Sequence, residues 1–451
     1  MKQETKLFAK KLLTLVMPIA FQQFMLALVN ASDAIMLGVI DQDSLAAVSL
    51  ASQIPFVENL FLAAMTTGLS ILAAQYWGRG DLGAVERIFA FVMKVTATIA
   101  LVFGLAALLA PRLLMMMFTS EEELIAAGAV YLRTVSPSLL LTGISQVYLC
   151  ILKNSGSALR STVISSVSVV INIVINAVLI YGLLGAPRLG IAGAAAATVI
   201  ARVIEVAWCI IASARRSKVH LRLKNMLHDD KKLRADFLKY SLPVLGNQLA
   251  WGLGFTMYSV IMGHLGKDAV AANSIANIVK NLIVCFCTGL ASGGGIIVGN
   301  ELGRGRLDTA REFGRRLCKL AIWCGLGSGA LLIALIPLIL KLSELEPAAT
   351  SYLGVMLLMC SYYVAGKSVN MTTIGGIFCA GGDSRFGLIC DTVTLWCVTV
   401  PLGFFTAFVL KWPVLAVYFV ICLDEVIKLP AVYHHYKKYK WVRNLTVSGE
   451  Q

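Results

Sequence analysis

The chain has 451 residues, of which 58% are hydrophobic and only 14% charged, and its mean hydropathy is +0.79. A soluble domain is closer to half apolar and a quarter charged, so this composition excludes an ordinary soluble protein and points to a polytopic helical membrane protein. The net charge of +14 calls for no nucleic acid, because a basic surface facing anionic lipid accounts for it, and no nucleic-acid-binding motif is present.

Apolar stretches of around 20 residues or more recur along the whole chain, and each can cross about 30 Å of hydrocarbon as a helix. In chain order they fall near residues 12–38, 45–76, 87–110, 124–152, 160–184, 190–213, 236–263, 269–298, 309–340, 350–378, 385–409 and 413–435. The expected fold is therefore all-α and integral to the membrane, with twelve transmembrane helices. A β-barrel would show short alternating segments, and none occur. The connecting segments separate by charge. KQETKLFAKK, GRGDLGAVER, KNSGSALR, the stretch from ARRSKVHLRLK to KKLR, GRGRLDTAREFGRR, GGDSR and YHHYKKYKWVR alternate with IDQDS, FTSEEE, GAPRLG, HLGKD, SELEP and KWP. Lys and Arg crowd the first set, which places that side and both termini in the cytoplasm of a multi-pass cell-membrane protein. The opening MKQETKLFAKK leads straight into a span too long for the apolar core of a signal peptide. Eleven cysteines, nine of them after residue 250, read as small apolar fillers rather than as disulfide partners or metal ligands.

An internal repeat organises these spans. Pro18 matches Pro243, Gln23 matches Gln248, Gly38 matches Gly263, Asp43 matches Asp268 and Ala46 matches Ala271, every pair 225 residues apart. The same offset lays Gly78-Arg79-Gly80 on Gly303-Arg304-Gly305, Gly156 on Gly381 and Arg160 on Arg385. Six spans is an even number, so both halves enter the membrane from the same side as parallel repeats. Residues 1–214 form an N-lobe, 215–234 a basic cytoplasmic connector, and 235–451 a C-lobe with a basic cytoplasmic tail. Two similar bundles able to rock about a central cleft suit a transporter.

An ionisable side chain at membrane depth is costly unless partnered or wetted, which makes each one a functional candidate. Asp33 lies about 10 Å below the outer end of the first span at 1.5 Å per residue. Asn30 and Gln23 share roughly its helical face. The fifth span carries a polar stripe of Ser165, Ser168, Asn172 and Asn176, and the sixth adds Thr198 among small alanines that allow close approach. A carboxylate among amide and hydroxyl oxygens can coordinate Na⁺, or take up a proton once burial disfavours its charge. The alternative is a polar helix interface, since Asn and Ser also join membrane helices.

Lys280 lies near mid-membrane in the eighth span on a stripe with Asn273 and Asn277, and Lys367 in the tenth precedes Asn370. Glu58 in the second span is the acidic partner that sequence suggests for them. Either a Lys–Glu pair between lobes makes a structural or gating contact, or the lysines face the cavity and favour substrates with an anionic group. Snorkelling is the third option. Met25, Met36, Trp251, Phe255, Tyr258 and Met262 are soft or flat side chains able to repack around varied organic molecules. Arg202, Glu205, Asp424, Glu425 and Lys428 read as partly wetted pairs near the cytoplasmic ends, and Asp391 as a partner of Arg385. Pro18 and Pro243 free backbone carbonyls inside spans and allow kinks.

The SDAIMLG segment, the AAQYWGRGD and GNELGRGR corners, GIAGAAAATVIAR, and the pairing of WCVTVPLG with LDEVIK resemble the multidrug and toxic compound extrusion (MATE) transporters. The resemblance extends from Lys10 to about Thr446. It implies a two-lobed, twelve-helix secondary antiporter, expected to act as a monomer, that exports small organic and often cationic compounds against an inward flow of H⁺ or Na⁺. It also implies a cation-coupling site at Asp33, Asn172, Asn176 and Thr198, which would be a metal site only with Na⁺. Many members carry a second aspartate where this chain has Asn176, which leaves Asp33 as the expected acid of that site. The positions of a second cation site in the C-lobe of sodium-coupled members hold Trp251 and Ser368 here, and the repeat mate of Asp33 is Tyr258. Coupling is thus expected in the N-lobe, with H⁺ preferred. Candidate cleft residues are Gln23, Asn30, Glu58, Trp251, Tyr258, Lys280 and Lys367. No phosphate-binding loop, HExxH or GxSxG motif supports ATP-driven transport or an enzyme, and no cofactor is expected. The alternative is a flippase for lipid-linked saccharides, whose related folds share the lobed design.

Overall fold

The structure, a computed structural model, describes residues 2–38, 42–216, 219–227, 230–343 and 345–447. The side chains of some helical residues, Asn30 and Asp33 among them, lie outside this description. No strand occurs among the described residues. Hydrocarbon offers no partner for a peptide group, and the helix satisfies each one within its own segment.

Among the described residues, ten helices are long and apolar enough to cross a membrane, from Phe8–Val29 to Ser384–Val409. The other two expected spans are helical as well but differ in kind. Lys231–Gly263 is a continuous helix of 33 residues, and its apolar character is diluted by Asn247, Gln248, Thr256 and Tyr258. The last span breaks at Cys422 into Val414–Ile421 and Asp424–Lys437, of 8 and 14 residues. The three charged residues just past that break explain why hydropathy alone marks it poorly.

The two repeat-related corners are built alike. Gly80 and Gly305 take left-handed φ values of 87° and 76°, a conformation glycine adopts without steric cost at a helix end. Asp81 then caps the next helix, Leu82–Leu109, by accepting from the Ala84 amide at 2.9 Å.

The chain divides into two compact units. One, here the N-terminal unit, comprises Met25–Ala73 and Asp81–Leu238, and the C-terminal unit comprises Met1–Phe24, Ala74–Gly80 and Lys239–Gln451. Three helices, Met17–Gly38, Gln53–Arg79 and Lys231–Gly263, pass from one unit to the other along their length.

Small residues let helices approach closely where no hydrophobic force drives them together in lipid. In the N-terminal unit a Cβ added at Gly143 would lie 2.7 Å from the Ala100 methyl, and one at Gly193 2.7 Å from the Leu179 carbonyl oxygen. In the C-terminal unit Gly289 and Gly293 on helix Lys267–Gly303 receive Ala20 and Val16 in the same way. There too, a Cβ at Gly78 would meet the Asn300 carbonyl oxygen at 2.2 Å, and one at Gly303 would meet that of Gln75 at 1.9 Å. Gln75 and Asn300 are themselves 225 residues apart, so the repeat makes this contact with itself.

The C-terminal segment is packed rather than trailing. Trp441 is fully buried and lies against Gly314 and Gly381. Gln75 fixes the segment by donating to the carbonyls of Ala380 at 2.7 Å and Arg443 at 3.2 Å, and by accepting from the Leu445 amide at 2.7 Å.

Candidate functional site

The N-terminal unit contains a column of buried and half-buried polar side chains on two facing helices. Ala158–Tyr181 presents Ser168, Asn172 and Asn176 at helical spacing, and Gly190–Arg216 presents Thr198, Arg202 and Glu205. Asn176 donates to the Asn172 side-chain oxygen at 3.3 Å, Asn172 donates to the Thr198 hydroxyl at 3.4 Å, and Thr198 donates to the Ala194 carbonyl at 3.1 Å. Deeper along the same face Ser168 lies 3.0 Å from the Ala201 carbonyl and 3.4 Å from Glu205. Arg202 forms an ion pair with Glu205. Three of the four residues of the expected coupling site thus meet. The fourth, Asp33, sits on helix Met17–Gly38, but its side chain, like that of Asn30, lies outside the described residues. The same helix is tied to this column by the Tyr181 hydroxyl, which donates to the Met36 carbonyl at 3.0 Å.

Sequence reasoning placed Arg202 and Glu205 at a wetted end. Glu205 is instead fully buried beneath the asparagines. Glu58 is buried in this unit as well, at 1% exposure, and among the described residues its Oε1 has no hydrogen-bond partner. Arg202 is the cation that acts on it electrostatically. The N-terminal unit therefore offers Glu58 and Glu205 as buried acids. The sequence showed both acids inside apolar spans; Glu58 was expected in the cleft as a partner of the lysines, and only Glu205 was read as peripheral.

In the C-terminal unit, Lys367 does not depend on Glu58. Its ammonium lies 3.0 Å from Glu425 and 5.6 Å from the centre of the Trp251 ring. Glu425 also receives Lys428 at 3.2 Å and the Asn370 amide at 2.8 Å. Lys428 reaches on to Asp391 at 3.0 Å, so Asp391 pairs across to the last helix rather than with Arg385. Asp424, Glu425 and Lys428 are 3%, 1% and 5% exposed, which corrects the expectation of wetted pairs at a helix end. The break at Cys422 carries this charged turn into the unit's interior, where each charge needs a partner.

Next to this network lies a cavity lined by Trp251, Phe255, Tyr258, Met262, Asn273, Asn277, Lys280, Tyr363 and Asp424, among others. Trp251 and Phe255 stack at 5.6 Å with 18° between their planes. Tyr258, the repeat mate of Asp33, hydrogen-bonds Thr399 at 2.7 Å. Asn277 donates to Asn273 at 3.3 Å, and the Lys280 ammonium sits 4.9 Å from the centre of the Tyr363 ring. Of the expected cleft residues, Trp251, Tyr258 and Lys280 line this cavity and Lys367 lies over the Trp251 ring. Gln23 is half-buried on the part of helix Met17–Gly38 that belongs to this unit. Ser368, at one of the positions where the resemblance implied a second cation site in other members, donates to the Ala321 carbonyl at 2.7 Å.

Two membrane-spanning units with buried polar columns are the layout of a membrane transporter, and sequence comparison identifies the family. The MatE profile matches residues 18–178 and again 243–405, starting points that differ by 243 − 18 = 225, the repeat offset. The chain belongs to the MatE family, the multidrug and toxic compound extrusion transporters. A Bacillus subtilis relative described as an uncharacterized transporter, YisQ, is 23% identical, covering 96% of this chain and 95% of its own. The probable multidrug resistance protein NorM of Halalkalibacterium halodurans is 24% identical, covering 90% and 88%. Among solved structures, a MOP superfamily transporter from Pyrococcus furiosus, described as having a binding pocket of reverse polarity, superimposes with a TM-score of 0.87 at 18% identity. It covers 96% of this chain and 95% of its own. A Vibrio cholerae MATE transporter gives 0.88 at 17% identity, covering 97% and 98%. These structures share the two-lobed, all-α membrane architecture.

Proposed function

We propose that the protein is an ion-coupled antiporter that exports organic compounds, often cationic, by alternating access of its two lobes. The observation that carries this reading is the hydrogen-bonded line Asn176–Asn172–Thr198 inside a member of the MatE family. NorM relatives are named as multidrug resistance proteins, which favours a broad substrate range. Coupling is assigned to Asp33 with this line, and H⁺ is preferred to Na⁺. The Asn172 oxygen and the Thr198 hydroxyl already accept hydrogen bonds, which favours a carboxyl that takes up a proton over a cage of free oxygens. Glu58 and Glu205 supply further buried carboxyls in the same unit. The protein works as a monomer in the cell membrane, with both termini in the cytoplasm.

The test is uptake of ethidium into everted vesicles, with H⁺ and Na⁺ gradients imposed separately. An acidic vesicle interior drives uptake in the wild type, and Asp33→Asn abolishes it. Gradient-driven uptake surviving in Asp33→Asn would refute the coupling assignment. Lys280, a cationic side chain on the cavity wall, is the observation that favours the second reading, a flippase for lipid-linked saccharides. Independence from both gradients in the wild type would support that reading.

A further inference from the structure

The N-terminal unit holds a group of charges, beside the line Asn176–Asn172–Thr198, whose signs do not balance. Glu205 on helix Gly190–Arg216 is fully buried, and Glu58 on helix Gln53–Arg79 is 1% exposed. One cation serves both. Arg202 forms an ion pair with Glu205, one turn away on its own helix. Among the described residues it is also the one charged side chain that acts on Glu58. Two carboxylates and one guanidinium leave one negative charge over when every group is ionised.

The contacts show where that excess falls. Oε2 of Glu205 receives Arg202 and lies 3.4 Å from the Ser168 hydroxyl. Glu58 is not provided for in this way. Among the described residues it has no ion pair within 4.0 Å, and its Oε1 has no hydrogen-bond partner. A buried carboxylate without a bonded cation is costly, and such a group takes up a proton instead. The other titratable side chains at this place are Cys209, close to Arg202 and Glu205, and Tyr148 close to Cys209. A thiol and a phenol carry no positive charge in any state, so neither can supply the missing cation.

We propose that Glu58, Arg202 and Glu205 together bind one proton, at a site distinct from Asp33. In the arrangement seen, the guanidinium is on Glu205 and the proton is on Glu58.

The two partners can exchange. When the Glu58 O–H bond breaks and its proton passes to Glu205, Arg202 turns to the new carboxylate and the total charge is unchanged. Oε1 of Glu205 has no hydrogen-bond partner among the described residues, and it is the oxygen open to that proton. Arg202 acts as a positioning residue, since it selects which carboxyl stays ionised. Arginine suits this task because its guanidinium keeps its charge where other groups titrate. The inference rests on the antiport reading and deepens it, giving the protein a proton that Asp33 does not carry.

Infrared difference spectroscopy of the purified full-length protein in lipid nanodiscs counts protonated carboxyls without any transport. Asp33→Asn is present throughout, so the proposed coupling acid contributes nothing, and further variants are compared with this parent at neutral pH. Glu58→Gln is expected to remove one protonated-carboxyl band, because Arg202 and Glu205 then balance. Glu205→Gln is expected to remove one as well, because Arg202 is freed to pair with an ionised Glu58. Arg202→Met leaves two carboxyls without a cation and doubles the count at this site, while Arg202→Lys returns it to one. A merely structural role would leave the count unmoved. Survival of the band in Glu58→Gln would overturn the proposal. Its survival in Glu205→Gln would do so too, by making Glu58 an acid that holds its proton alone. Both glutamine variants keep the side-chain shape, so they decide the matter even where Arg202→Met does not fold. Ethidium uptake by everted vesicles, with Asp33 restored, is measured in parallel. The expected spectra without gradient-driven uptake defeat the antiport reading alone, and gradient-driven uptake without those spectra defeats the shared proton alone.

Discussion

Replacing Glu425 by glutamine keeps the side chain's shape and removes the charge that half-buried Lys367 and buried Lys428 share. The carboxylate accepts from Lys367 at 3.0 Å, Lys428 at 3.2 Å and Asn370 at 2.8 Å, and it is 1% exposed. In the variant Lys428 keeps Asp391 at 3.0 Å, whereas Lys367 keeps the Trp251 ring at 5.6 Å, the charge of Asp424 and at most the neutral amide oxygen of the glutamine. Removing one partner of a buried ion pair costs about 3–5 kcal/mol. Because Lys428 retains a carboxylate and Lys367 is 16% exposed, the cost falls at the lower end, about 3 kcal/mol. Lys367→Met alone leaves Glu425 with Lys428 and Asn370 and costs about 2 kcal/mol, the loss of one charged hydrogen bond. The double variant removes both charges together, so its cost stays near about 3 kcal/mol instead of the sum of about 5 kcal/mol. The assay is reversible unfolding in mixed micelles with increasing dodecyl sulfate, followed by tryptophan fluorescence. Costs additive within about 0.5 kcal/mol would show that the two side chains do not act as a pair.

At the self-contact of the repeat, Gly78→Ala and Gly303→Ala each place a methyl against a backbone oxygen and should cost about 1–3 kcal/mol. Gly327→Ala, where a Cβ meets nothing within 4 Å, should stay within about 1 kcal/mol, and thermal denaturation in detergent compares the three. Trp441→Ala empties a fully buried site and should cost about 3–5 kcal/mol. Limited proteolysis reads this as cleavage near the C-terminus at protease levels that spare the wild type. Glu58→Gln removes a carboxyl whose Oε1 has no hydrogen-bond partner among the described residues, so the protein should fold normally while the pH dependence of dye uptake changes. An unaltered pH profile would remove Glu58 from the coupling machinery.

Hydropathy, loop charge and the 225-residue offset were enough to read the helical membrane fold and its duplication from the sequence. The meeting of Asn172, Asn176 and Thr198 was also foreseeable, because their spacings place them on single faces of neighbouring regular helices. The charged network of the C-terminal unit was not. Lys367 and Glu425 are 58 residues apart on the tenth and twelfth spans, and no periodicity within either span relates them. Wide-turn π-helical segments add to the difficulty. Met371–Phe378 follows Asn370 directly, and Val393–Thr399 follows Thr392. Each shifts the phase of everything downstream relative to a 3.6-residue wheel, so Thr399 reaches Tyr258 where a regular helix would give no reason to expect it. The break at Cys422 had the same effect, since a continuous span would have carried Asp424 and Glu425 towards a wetted end. Trp441 eluded prediction because the partners distant in sequence are glycines, Gly314 and Gly381, which leave no hydrophobic pattern, while its ring partners Tyr436 and Tyr439 are close neighbours in the basic tail.

The close approach of Gly78 to Asn300, answered by that of Gly303 to Gln75, has the form of a contact between two copies of one chain. In a two-fold dimer, residue i of one subunit touches j of the other while j touches i. Gly78 and Gln75 stand in that relation to Asn300 and Gly303 once the 225-residue offset is removed. Within the C-terminal unit a single polypeptide thus carries a helix crossing of isologous form. Gln75 now holds the C-terminal segment, a task that Asn300 does not share, while the crossing itself has kept its symmetry.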